Sequence, residues 1–180
     1  MARNLDTIIP RHVGEAAEVN YSSGPAADFG PLARDRIPVR SMAEGDLRPL
    51  AVIDRRITGR DRLDYFRRKL TDALTESDVR VSLVAELDGV PVGFIMAHVD
   101  LGEFGRVETT AVIDTIGVDP DYGNRGVGRA LLSQLLANLG ILRVEKVRTE
   151  VDWRDRGLLG YLDHSGFQPS QQICFDRPLA

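Results

Sequence analysis

The chain has 180 residues, 43% of them apolar, with 23 Lys or Arg against 27 Asp or Glu for a formal charge of -4. That size and apolar share suit one packed domain, with or without an extension, and exclude wholesale disorder. The acidic balance argues against nucleic acid as the main partner, because neutralising phosphates needs a basic surface.

Cys174 stands alone, which excludes an intramolecular disulfide framework and a CxxC zinc site. No apolar run approaches the roughly 18 residues of a membrane span. The opening Met1-Ala2-Arg3-Asn4-Leu5-Asp6 lacks the apolar core of a signal peptide. A cytoplasmic protein with no membrane attachment is the expectation.

Residues 1–36 carry Pro10, Pro25 and Pro31 and the small-residue stretch Ser22-Ser23-Gly24-Pro25-Ala26-Ala27. No period of 2 or 3.6 runs through them, so they read as an N-terminal extension, mobile or laid across the domain. Self-association into a homodimer is another use for this segment that nothing in the sequence selects.

The domain proper spans residues 37–180. Ile37 to Arg40 reads as a short strand. Ser41-Met42-Ala43-Glu44 fits a capping box before a helix with Leu47, Leu50, Ala51 and Ile53. Gly59 breaks the chain, and residues 60–76 form a second helix with Leu63, Phe66, Leu70 and Leu74 on one stripe. Strands at 79–87 and 90–99 flank Asp88-Gly89, a two-residue turn signal.

Further on come a strand at 109–118, a turn at 119–123 and a helix at 126–139. A strand at 144–151, a helix at 154–165 stopped by Gly166, and a last strand at 172–176 complete the chain. The order β-α-α-β-β-β-α-β-α-β predicts an antiparallel meander that continues into a parallel strand-helix-strand unit. The fold class is α/β (α+β).

The segment richest in chemistry runs from Ile113 to Leu132. A strand ends, a Gly-rich turn follows, and a helix opens at once. The first amides of a helix have no internal partner, and the helix dipole adds positive character there. Together they make an anion site suited to a pyrophosphate. Gly126 and Gly128 allow close approach, and Arg125 and Arg129 add charge. No Gly-Lys-Ser/Thr follows, so this is not a P-loop, and the third Gly of a dinucleotide fingerprint is missing.

Here the chain resembles the GNAT acetyltransferase superfamily, which moves an acetyl group from acetyl-CoA to an amine. Ile116-Gly117-Val118-Asp119-Pro120 and Asn124-Arg125-Gly126-Val127-Gly128-Arg129-Ala130-Leu131-Leu132 look like its acetyl-CoA motif, and Gly166-Phe167 looks like its C-terminal motif. The resemblance runs from about Ile37 to the C-terminus. It implies a mixed, mostly antiparallel sheet of six to seven strands, flanked by about four helices and splayed between strands four and five.

By the same resemblance, the loop residues Asn124, Arg125, Gly126, Val127, Gly128 and Arg129 hold the phosphates of coenzyme A. Gly123 stands where the family's loop usually opens with Gln or Arg; its amide remains. Ile116, Gly117 and Val118 line the pantetheine arm, Ile116 and Val118 through main-chain groups. No metal is implied. The alternative is a non-catalytic acyl-CoA-binding sensor or regulatory module.

A primary amine is mostly protonated at neutral pH, so transfer needs a base or a water path to take its proton. A backbone N–H near Ile116 is the expected oxyanion donor. Asp114 is the base candidate, since period 2 puts it on one strand face with Ile116 and Val118. Its other readings are an ion pair in the sheet and a carboxylate that binds a cationic substrate.

For the acid, the family often has a Tyr four residues before the Gly of Gly-Phe. Leu162 holds that position here and Tyr161 is its neighbour, about 100° round the helix. Tyr161 is thus either the acid or a packed tyrosine. Glu150 and Asp152 read as a solvated or salt-bridged strand edge. Trp153 lines the acceptor pocket or caps the core.

His12, His98 and His164 show no metal spacing and read as structural or exposed. Residues 54–69 hold seven basic residues against three acidic ones, a surplus of four that leaves -8 for the remainder. That segment reads as a solvated helix face, and the remainder favours cationic acceptors.

Overall fold

The structure is a computed structural model, and it describes residues 37–75, 80–100, 108–171 and 177. The described residues form one sheet in the order β1-β2-β3-β4-β5. Its strands are β1 (Val39–Ser41), β2 (Arg80–Leu87), β3 (Val90–Asp100), β4 (Thr110–Val118) and β5 (Lys146–Thr149). The helices are α1 (Leu47–Thr58), α2 (Leu63–Thr75), α3 (Val127–Ile141) and α4 (Arg156–His164).

Strands β1 to β4 pair antiparallel, and β5 joins β4 in parallel. This is the mixed, mostly antiparallel architecture expected. Five strands are described where six to seven were expected. The last expected strand, 172–176, which includes Cys174, lies outside the described residues, as do the 1–36 segment and His12.

The sheet is buried on both faces. Leu83, Ala85, Ile95, Ala97, Ala111 and Ile113 pack with Val127, Ala130, Leu131 and Leu135 of α3. Val84, Phe94 and Met96 pack on the other face with Leu50 and Ile53 of α1 and Phe66 and Leu70 of α2. Alternate residues of each strand thus serve opposite cores, which is why β2 and β3 read as near-continuous apolar runs. Phe66 meets Phe94 edge to face, ring centres 5.4 Å apart.

The β2–β3 turn follows its sequence signal. Asp88 has φ 51° and Gly89 φ 76°, the pair of positive values that a tight two-residue turn needs. Gly93 serves a different purpose. A Cβ there would stand 2.8 Å from Val127 Cγ1 and 3.1 Å from the Gly117 carbonyl oxygen, so its absence lets α3 lie close on the sheet.

The cap before α1 differs from the one expected at Ser41 and Glu44. Ser41 ends β1 opposite Leu83, so its backbone belongs to the sheet. The carboxylate of Asp46 instead accepts the Ala43 N–H at 2.8 Å. Arg40 fixes that carboxylate with two bonds of 2.7 Å and also donates to Glu86. Asp46 is buried and satisfied from two sides, which Glu44 would not be.

A bulge interrupts β4. Met96 pairs with Thr115 and Ala97 with Ile113, so Asp114 is an extra residue on β4. The β5 ladder runs only from Thr110–Lys146 to Ile113–Thr149. It stops at the bulge, because the added residue turns β4 away. Hence β5 has four residues instead of the eight expected over 144–151.

Candidate functional site: the β4 edge and the α3 N-terminus

The last tie between β4 and β5 is Thr149 Oγ1 donating to the Ile113 carbonyl at 3.0 Å. From Asp114 to Val118, β4 pairs only with β3 among the described residues. A strand edge without a neighbour presents free N–H and C=O groups. The expected splay between strands four and five is therefore present. Ile116 and Val118 lie along it and pack against the α3-side core. Gly117 faces the other way, where a Cβ would meet Phe94 ring carbons at 2.8 Å and Ile57 Cδ1 at 3.2 Å.

The bared edge runs directly into the loop. The Asp119 N–H still donates to Val92 C=O at 2.9 Å, after which residues Pro120–Tyr122 form a single 3-10 turn. Asn124 and Gly126 take left-handed φ of 59° and 88°, and α3 starts at Val127. No side chain caps this helix. Its first internal bond is Ala130 N–H to Gly126 C=O, 2.9 Å, so the amides of Val127 and Gly128 precede the ladder.

Val127 is buried and pins the helix end, while Gly123, Asn124, Arg125, Gly126 and Arg129 are exposed. Arg125 lies over the Tyr122 ring, 5.2 Å from its centre. From α1, Arg56 holds the loop through Asp119 at 2.5 Å and Asp121 at 2.8 Å. An uncapped helix start, a left-handed Gly and two exposed arginines fit an anionic pyrophosphate.

Tyr161 comes from α4, whose first turn is capped by Asp155 accepting the Leu158 N–H. Its hydroxyl donates to the Gly128 carbonyl at 2.9 Å, so the structure brings Tyr161 and the loop together. Burial pushes the phenol up to about 12, against smaller pulls from Ser165 and Arg129. Leu162, one residue on, is buried in the domain. The helix phase thus sends Leu162 inward and Tyr161 toward the first turn of α3.

Asp114 does not share a face with Ile116 and Val118. The bulge shifts the alternation, so those two face α3 while Asp114 faces α2. Its Oδ2 lies 3.1 Å from His98 Nδ1 and 3.3 Å from Lys69 Nζ. His98 and Lys69 are the members of this cluster that sequence reasoning missed. The sequence does hold a signal for it. Asp114-Thr115 puts two polar residues where strict alternation allows one, and His98 follows Phe94 and Met96 at period 2.

Glu150 and Asp152 lie past the end of β5, both exposed. Asp152 accepts the Arg154 N–H at 2.9 Å. Trp153 is 73% exposed and stacks with Arg154, so it does not cap the core. The α1–α2 turn, with Gly59 at φ 70°, is fixed by Arg62 paired to the buried Asp54 and laid over the Tyr65 ring.

Comparison with known proteins gives the same picture. Residues 48–167 match the family model of the acetyltransferase (GNAT) family. The aminoglycoside N-acetyltransferase AAC(6')-Iy, solved with CoA, superposes with a TM-score of 0.69 at 16% identity, covering 80% of this chain and 95% of that one. An aminoglycoside acetyltransferase from an uncultured soil metagenomic sample, solved with sisomicin, gives 0.66 at 18%, covering 82% and 99%. A transcriptional regulator from Bacillus halodurans gives 0.69 at 15%, covering 78% and 99%. None of the curated proteins compared matches the chain. The three likenesses speak for the fold, and the family match runs from α1 through α4 to Phe167: the chain belongs to the acetyltransferase (GNAT) family.

Proposed function

We propose that the protein transfers an acetyl group from acetyl-CoA directly to an amine. The observation that carries this reading is the β4 edge, bared from Asp114 to Val118 and continuous with the uncapped start of α3. Residues 123–129 hold the pyrophosphate. The main-chain groups of Ile116 and Val118 take the pantetheine arm much as a neighbouring strand would. A backbone N–H near Ile116 steadies the oxyanion as the tetrahedral centre forms.

The amine approaches on the α1–α2 face, where Asp114 lies beside Lys69 of α2 and His98 of β3. Tyr161 is the acid for the leaving thiolate. Burial keeps its phenol protonated through the working pH range, and to act it turns from the Gly128 carbonyl to the sulfur. The acceptor is a cationic amine, in keeping with the -8 carried outside residues 54–69. Aminoglycosides head the candidates, since related folds are solved with sisomicin and with CoA.

The test is thiol release from acetyl-CoA with a panel of aminoglycosides, polyamines, lysine peptides and peptide N-termini. Acceptor-dependent release supports the reading. A CoA-binding module without turnover is the second reading, favoured by the Tyr161 hydroxyl bonded to Gly128 and by Leu162 in the core. Tight CoA binding with no release from any acceptor selects it. Gly126→Glu, which puts a carboxylate into the anion nest at φ 88°, is expected to abolish CoA binding in a folded protein. Unchanged affinity, by calorimetry, overturns the loop assignment.

A further inference from the structure

We propose that His98 accepts the proton of the incoming amine, with Asp114 positioning it and Lys69 holding Asp114 in place; this rests on the acetyl-transfer reading above. Asp114 Oδ2 stands 3.1 Å from His98 Nδ1. An ionised carboxylate only accepts, so Nδ1 carries the hydrogen and the lone pair is left on Nε2. Both contacts of Asp114 fall on the same oxygen, with Lys69 Nζ at 3.3 Å. That oxygen is committed, whereas among the described residues no group is set against Nε2. The His98 side chain is 35% exposed against 17% for Asp114, so the imidazole is also the more accessible member.

The place is right for the reaction. Asp114 is the first residue of β4 beyond its last pair with β5, so the cluster marks the level at which the cleft opens. His98 lies across from Val112 on β3, on the sheet face covered by α1 and α2. Among the described residues, the charged groups set against it are Asp114 from β4 and Lys69 from α2. Arg80 is its register partner on β2. The other paired cation near the middle of α2 is Arg67, which serves Asp64.

The step balances without a further reagent. The ammonium gives one proton to His98 Nε2, and Asp114 stabilises the imidazolium through Nδ1–H. The free amine attacks the thioester carbonyl, forming the C–N bond. As the tetrahedral centre collapses, the C–S bond breaks and the thiolate leaves with the electron pair. The second amine proton ends on the thiol, and His98 returns its proton to solvent.

The test is the pH profile of kcat/KM for an active amine, with CoA affinity measured separately. His98→Gln is expected to lower kcat/KM by about 10²-fold or more and to flatten the acid limb, with CoA affinity unchanged. Asp114→Asn is expected to lower kcat with CoA affinity unchanged, and Asp114→Glu to recover part of the loss.

A loss in kcat without a loss of CoA affinity, recovered by the conservative variant, is the signature that a merely structural cluster would not produce. A wild-type profile in His98→Gln, or a wild-type rate in Asp114→Asn, overturns the proposal. Wild-type protein that releases no thiol with any acceptor overturns the acetyl-transfer reading along with it. Release by wild type with an unaltered His98→Gln profile overturns this proposal alone.

Discussion

Tyr161 ties the stability of the fold to pH. Its phenol is raised to about 12 by burial, so the folded chain keeps a proton that the unfolded chain releases near about 10. Between those values the unfolded state binds fewer protons, and stability falls as pH rises. The loss is at most about 3 kcal/mol across that window. Tyr161→Phe is expected to abolish this slope, read as urea midpoints from pH 9 to 12, at a cost near about 1 kcal/mol at neutral pH for the bond to Gly128. If Tyr161 is also the acid, the same variant lowers turnover and leaves CoA affinity intact; equal rates assign the residue to packing. A one-residue offset from the family position was legible in the sequence. What Tyr161 would meet was not, because Gly128 is 33 residues away in the chain.

At the scale of elements, α3 and the C-terminal β5–α4 unit differ in how they are held. Helix α3 lies so close to β3 that Gly93 has no room for a methyl group. Gly93→Ala is expected to cost about 1–3 kcal/mol by overpacking against Val127 and the Gly117 carbonyl, with a lower midpoint in denaturant and an unchanged slope. By contrast, β5 is tied to β4 through four paired residues and Thr149 Oγ1, and α4 to α3 through the Tyr161 hydroxyl. Amides of β5 and α4 should exchange with solvent sooner than those of β2 and β3, and equal protection would refute such local opening.

The Asp54–Arg62 pair behaves differently again. Asp54 is 3% exposed, so Arg62→Met strands a buried carboxylate and is expected to destabilise by about 3–5 kcal/mol, measured by thermal and urea unfolding. The elements themselves were readable from period and turn chemistry, as Asp88-Gly89 and Gly59 show. The cap before α1 was misread because Ser41 is taken up by β1, so the turn ahead of the helix is closed by the Asp46 carboxylate on the Ala43 N–H. Arg40, shared with the distant Glu86, holds that carboxylate in place.

For the molecule as a whole, the charge pattern has a spatial answer that composition hid. Four cations of residues 54–69 are paired, three of them with Asp119 and Asp121, with Asp54, and with Asp114. The fourth, Arg67, pairs with Asp64. Arg56 and Lys69 thus fasten α1 and α2 to β4 and its loop, while Arg62 and Arg67 serve acids of the segment itself. Raising ionic strength from 50 to about 500 mM shortens the Debye length from about 14 to about 4 Å. The KM of a multiply charged polyamine is expected to rise several-fold over that range, against little change for a monoamine. Equal salt dependence would refute electrostatic attraction of the acceptor.

The extra residue in β4 has one more consequence, in the arithmetic of the strand. Toward α3 the strand counts in odd numbers up to Ile113 and in even numbers from Ile116 onward. Its two halves are out of phase, and Asp114 is the place where the count is reset. Deleting that single codon would merge the phases. Thr115 would then follow Ile113 directly, and Ile116 and Val118 would keep their place against α3. Neither core needs the added residue; what it supplies is a carboxylate at the level where β5 leaves β4.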